Sequence, residues 1–329
     1  MLADRVLDYW KEDPASAPFP ISDPAALNAF RQGAFGPDLG YFPGGHRFLS
    51  DLAHCVRSAD LARSLLSMAR TSRERAFAWG WVTHVLGDQV IHPWVGRGVG
   101  ELITGRRDVF ISGDRDQVSH VRVETGLDAW YAARNPGYRR FEPAPVFDGD
   151  TIRFLGGAYR RTYGLRFDAA QLLGSHLAVT RMAGQALRTV AVLGNALEWE
   201  SGDVPMVRWA RCGMERARGM IRDAMGRDSL LMALLTPVAP SPWLVEAVEA
   251  VVEGFGRRVQ RHLVARGALL ENRNLDTGEW DGEGDHAGTA ATLEVLRLRG
   301  GVGLEAPDEE GLALMMAGSA RYPGAVSSR

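Results

Sequence analysis

The 329-residue chain has only two cysteines, Cys55 and Cys212, and no Cys-x-x-Cys pair. A disulfide framework and a zinc ribbon are therefore excluded, and both thiols read as small buried hydrophobes. Net charge is also missing: the formal value is -2 and the pI about 6.5. The electrostatic footprint of a duplex-binding protein is absent, although a metal could bind phosphates without it. Lysine is nearly absent too, Lys11 being the single one, and arginine carries the rest of the positive charge. That bias fits genome composition and points to no function. The most apolar region, residues 230–255, is interrupted by Pro237, Pro240, Pro242, Glu246, Glu249 and Glu253. It cannot supply the roughly 20 apolar residues of a membrane span. The opening Met-Leu-Ala-Asp-Arg-Val-Leu-Asp-Tyr-Trp has acids where a signal peptide needs a basic start and an unbroken apolar stretch. As written, the chain is expected in the cytoplasm; a start further upstream would make it an exported one. No internal repeat and no period-2 strand pattern stand out.

Helical spacing fills most of what is present. Leu2, Val6, Leu7 and Trp10 predict a short first helix. Ser22-Asp23-Pro24 reads as an N-cap with proline in the first turn of a second, running through Phe30 and Arg31 and ended by Gly33 and Gly36-Pro37. Two prolines and four glycines in residues 36–45 predict a loop, which carries Asp38. One helix is expected over 47–68, and another from Ser72 that ends at the proline after His92. A glycine-rich loop should follow over 96–113, then a helix from Asp116 to Arg134, terminated by Asn135-Pro136-Gly137. Residues 150–163, 169–199, 204–235 and 243–268 all read as helices. Residues 271–290 and the tail after Arg299 have little apolar periodicity and read as loop or partly disordered. The expected organisation is an all-α domain over 1–270 with a loop-rich C-terminal extension over 271–329.

Seven potential metal ligands fall in order along this pattern: Asp38, His54, His84, Asp88, His92, His120 and Glu124. His84, Asp88 and His92 are spaced by four, as are His120, Glu124 and Asp128, so each set occupies one helical face. Imidazole with carboxylate is a ligand mix that suits zinc. The segment 76–88 is otherwise apolar almost all round, and a buried carboxylate and imidazole need each other or a cation. A plain His–Asp hydrogen bond in the core is the competing reading for His84 and Asp88. Alone, His120 and Glu124 could be a solvated helix face. Gly80 and Gly87 cost about 1 kcal/mol each against Ala in a helix, which fits either a close helix crossing or a ligand beside them. His46, His176, His262 and His286 have no carboxylate at ligand spacing on a helix; of these, His46 is the one placed to touch substrate. Tyr41, Phe42 and Trp94 flank the ligands and suit either core packing or an apolar wall for a head group or base.

In order and spacing, Gly36-Pro37-Asp38, His54, His84-x-x-x-Asp88, His92-Pro93 and His120-x-x-x-Glu124 resemble the zinc-dependent phospholipase C family, relatives of the S1/P1 nucleases. The likeness runs from about Phe30 to Trp130. It implies a multi-helix, all-α bundle with its metal site in a cleft between helices. Asp38, His54, His84 and Asp88 would hold one zinc; His92, His120 and Glu124 would hold a second. The family's third zinc uses the amino-terminal residue, a histidine just after it and the aspartate matching Asp88. No histidine precedes His46 here, so either the third metal is lost or the start lies upstream. The implied activity is hydrolysis of a phospholipid or related phosphodiester by a metal-activated hydroxide, with Asp38 ligating, orienting or acting as base, and with peripheral membrane contact. A P1-like single-strand nuclease and a non-catalytic, metal-stabilised helical scaffold are the alternatives. No duplex nucleic acid is expected as partner, and oligomeric state is not legible.

Overall fold

A computed structural model describes residues 1–41, 47–113, 115–135, 149–163, 233 and 236–278. Among the described residues the fold is all-α: α1 (Leu2–Glu12), α2 (Pro24–Phe35), a 3-10 turn (Gly36–Tyr41), α3 (Arg47–Cys55), α4 (Ser58–Met68), α5 (Ser72–Thr104), α6 (Gln117–Arg134), α7 (Gly149–Tyr163) and α8 (Pro242–Val264). No described helix is long and apolar enough to cross a membrane. The helix read over 169–199 and, apart from the helical Ala233, the one read over 204–235 lie outside the described residues, as do His46, His176 and His286.

The chain divides into two compact units. One contains residues 2–90, 144–181 and 252–329; the other contains Met1, 91–143 and 182–251.

In the first unit, Asp23 caps α2 by accepting from the Ala25 N–H at 2.9 Å, with proline following it. Thr71 and Glu74 form a reciprocal capping box at the start of α5, bonding each other's backbone N–H at 2.8 and 3.1 Å. Trp10, Phe19 and Phe30 meet at centroid distances of 5.5 to 5.7 Å, and Phe77 and Trp81 pack against Phe154 and Tyr159. A β-carbon on Gly33 would stand 2.0 Å from the Phe77 carbonyl oxygen, and one on Gly80 would stand 2.0 Å from that of Phe30. α2 and α5 therefore cross backbone to backbone, which answers the question the sequence left open at Gly80. Gly87 packs against Leu2 and Phe255.

The helix expected over 47–68 is two. Arg57 adopts a left-handed conformation, φ 52°, and splits α3 from α4. Its guanidinium, nearly buried, donates to the Thr162 carbonyl at 2.6 Å and to Asp60 at 2.9 Å, which compensates the unfavourable backbone. The break also frees carbonyls at the end of α3. Tyr163 Oη donates to Val56 at 2.7 Å, and the Leu275 N–H donates to His54 at 2.8 Å, so these acceptors are not left unmet.

The second difference lies in α5, which continues through Pro93 to Thr104 where a stop and a loop were expected. Proline in a helix interior costs about 3 kcal/mol. Val95 and Val99 beyond it are fully buried, each contributing about 1.5–3 kcal/mol, enough together to carry the helix past the proline. In the second unit the glycines after Pro93 are a landing face. The Val109 carbonyl lies where a β-carbon of Gly100 would be, and the Ile111 N–H donates to the Gly96 carbonyl at 3.0 Å. Asp116 caps α6 by accepting from the Ser119 N–H at 2.9 Å. At its far end α8 closes at Val264, four residues short of the expected 268, with Arg266 and Gly267 both at positive φ.

Candidate metal centre

Four of the seven candidate ligands meet in the first unit. The loop read around Asp38 is a 3-10 turn, and it presents Asp38 to His54 of α3, with Oδ1 3.2 Å from His54 Nε2. His84 of α5 brings its Nε2 to 3.2 Å from the same nitrogen. Asp88, one turn along α5, lies 2.9 Å from His84 Nε2 and 3.6 Å from His54 Nε2. Asp38, His54 and His84 form a group whose ligand atoms all lie within 4.8 Å of one another.

The orientation of both imidazoles is set by the backbone. His54 Nδ1 lies 2.7 Å from the Ser50 carbonyl, one turn back on α3. His84 Nδ1 lies 2.9 Å from the Ala34 carbonyl of α2, which it reaches because Gly33 and Gly80 let α2 and α5 touch. A carbonyl only accepts, so each Nδ1 carries a proton, and a ring with no second proton turns an Nε2 lone pair inward. Two such lone pairs at 3.2 Å, flanked by two carboxylates, repel unless positive charge stands between them. Ligand atoms of a tetrahedral zinc, at about 2.0–2.1 Å from the metal, lie roughly 3.3 Å apart. The separations of 2.9 to 3.6 Å around His54 and His84 bracket that value. For Asp38, His54 and His84 the donor set fits zinc in both chemistry and spacing, and Asp88 stands at comparable distances from the two histidines. The same attraction acts on a proton: burial pulls the His84 pKa down, but the carboxylates of Asp88 and Asp38 outweigh it and push it up to about 9.

The other three meet in the second unit. Glu124 Oε1 lies 3.1 Å from His92 Nε2 and 3.5 Å from His120 Nε2, again close to the tetrahedral spacing, and the two rings are nearly perpendicular with centroids 5.0 Å apart. Burial would raise the Glu124 carboxyl, yet His120 and His92 hold it well below the usual range, so it stays ionised. Asp128, a turn further on, is pushed up by burial, and the charge of Glu124 adds to this.

Sequence reasoning named the ligand-type side chains and missed their supports. The Ala34 and Ser50 carbonyls have no side-chain signature, whereas Asp51 does: a carboxylate three residues before His54, on the same helix. Its side chain is 5 % exposed as a residue and accepts a hydrogen bond from Tyr41 Oη at 3.1 Å. Burial of the phenol and the adjacent Asp51 charge push the Tyr41 pKa well above its ordinary value, so it remains a donor. The Tyr41 ring packs on His54 with centroids 5.5 Å apart.

No curated protein and no solved structure matches the chain. A family model does, over residues 2–163, a span that contains every one of the seven candidate ligands. That family is described as zinc dependent phospholipase C. The cluster brought together by the 3-10 turn, α3 and α5, the cluster of α5 and α6, and the all-α frame agree with that match: over residues 2–163, about half of its length, the chain is similar to the zinc-dependent phospholipase C family.

Proposed function

We propose that the chain is a phospholipase C-like enzyme that hydrolyses the phosphodiester of a phospholipid head group, holding zinc at two sites. Asp38, His54, His84 and Asp88 would hold one ion, and His92, His120 and Glu124 the other. The observation that carries this reading is the pair of inward Nε2 atoms of His54 and His84 at 3.2 Å, with Asp38 and Asp88 beside them at tetrahedral spacing. Bound zinc lowers the pKa of a coordinated water towards 7 and offsets charge on a phosphoryl oxygen.

The chain's own residues do the rest. The Ser50 and Ala34 carbonyls fix the ring tautomers, so that both imidazoles offer Nε2 without rearrangement. Asp38 is the most open of its group, with a side chain 36 % exposed against 16 % for Asp88. It is the carboxylate placed to orient an incoming water and to take its proton. Glu124, kept ionised beside two histidines, brings negative charge that favours a cation in the second cluster.

Release of head-group phosphate ester from phosphatidylcholine vesicles, measured beside cleavage of single-stranded DNA, tests the reading. Hydrolysis of the lipid that is abolished by chelation and restored by zinc supports it. Cleavage of DNA alone would assign the same fold a nuclease activity, and activity on lipid that persists in His84→Ala would refute the site.

A further inference from the structure

We propose that Asp51 and Tyr41 form a clamp that positions Asp38 and His54 as metal ligands; the inference rests on the zinc reading of that cluster. Asp38 belongs to a six-residue 3-10 turn, a short element with few internal bonds to hold a carboxylate in place. The turn is fastened to α3 at two consecutive residues. The Gly40 N–H donates to Ser50 Oγ at 2.8 Å, and Tyr41 Oη donates to Asp51 Oδ1 at 3.1 Å. The next turn of α3 carries His54, whose Nδ1 takes the carbonyl of the same Ser50 at 2.7 Å. Ser50 and Asp51 thus fix the turn and the imidazole against one helix, and the 3.2 Å between Asp38 and His54 follows from that fixation.

Asp51 is costly to keep. A carboxylate at 5 % exposure pays for desolvation, and a neutral residue of similar size would pack there without that cost. It does not belong to the group of ligand atoms formed by Asp38, His54 and His84. Its contribution is to draw in the Tyr41 hydroxyl, which lays the Tyr41 ring against the His54 imidazole at 5.5 Å and limits its rotation. Tyr41 is 37 % exposed as a residue while its hydroxyl end is the buried part, held on Asp51, so that hydroxyl contact is the specific part of the pair.

The test uses the full chain with cobalt(II) in place of zinc, because the visible bands of cobalt report ligand geometry and not merely the presence of metal. Tyr41→Phe keeps the ring and removes only the donor, Asp51→Leu removes the acceptor, and Asp51→Asn keeps an acceptor oxygen. Tyr41→Phe and Asp51→Leu should each shift the cobalt spectrum and weaken metal binding at the first site by about 10- to 100-fold, as outer-shell changes typically do. The double variant should be no weaker than either single one, and Asp51→Asn should lie near wild type. If wild type takes up metal while Tyr41→Phe has an unchanged spectrum and affinity, the clamp is wrong and the zinc reading stands. If wild type takes up no metal, both fail. Asp51→Leu that loses helical circular dichroism is set aside, since Tyr41→Phe alone decides the outcome.

Discussion

Replacing Gly80 with Ala places a methyl carbon 2.0 Å from the Phe30 carbonyl oxygen, where at least about 3.0 Å is needed. α2 and α5 must separate by about 1 Å. The 2.9 Å contact between His84 Nδ1 and the Ala34 carbonyl then stretches beyond hydrogen-bonding range. Overpacking costs about 1–3 kcal/mol and the lost hydrogen bond about 1 kcal/mol, while alanine returns about 1 kcal/mol of helix propensity. The net expectation is a destabilisation of roughly 1–3 kcal/mol. With its Nδ1 partner gone, His84 loses both tautomer and orientation, and zinc affinity at the first cluster should fall by about 10- to 100-fold. Urea unfolding of the chelator-treated protein reads the first quantity, and competition with a coloured chelator reads the second. A Gly80→Ala variant that is as stable as wild type or more so, with unchanged zinc affinity, would refute the account of how the helix crossing sets the site.

Other outcomes follow from the same geometry. In metal-free protein the His84 pKa is raised from 6.5 to about 9, so its contribution is fully present below pH 6.5 and is lost as pH rises through 9. Chemical unfolding across that range should show a loss on the order of 3 kcal/mol that is missing in His84→Gln. Zinc must displace that proton, so apparent affinity at the first cluster should rise between pH 6.5 and 9; a flat profile by isothermal titration would contradict it. Arg57→Ala removes the donor to Thr162 and one of the two arginines on Asp60, and should cost about 2–3 kcal/mol in urea unfolding with zinc content unchanged.

Much of the fold was legible because the signals are local. Asp23-Pro24 and Asp116 marked helix starts that the caps reproduce, and the four-residue spacings placed His84, Asp88, His120 and Glu124 on helices. The errors came where tertiary contacts overruled local rules. Pro93 looked like a stop, but buried valines beyond it and a loop packed on Gly96 and Gly100 hold the helix. Nothing around Arg57 signals a break; the left-handed turn is supported by Thr162, more than 100 residues away. The ligand-type residues were visible in the chain because their chemistry is in the side chain. Their supports were not, because the Ala34 and Ser50 carbonyls could belong to any residue, and the Tyr41–Asp51 bond depends on how the 3-10 turn meets α3.

The central claim is that Asp38, His54, His84 and Asp88 hold one zinc ion and His92, His120 and Glu124 another. Elemental analysis of the purified full chain, beside His84→Ala and His120→Ala, tests it most directly. The account predicts about two zinc ions per chain in wild type and a loss of one in each variant, with helical circular dichroism retained. Wild type that is folded and free of zinc after growth and dialysis in zinc-supplemented buffer, or variants that keep the wild-type content, would contradict it.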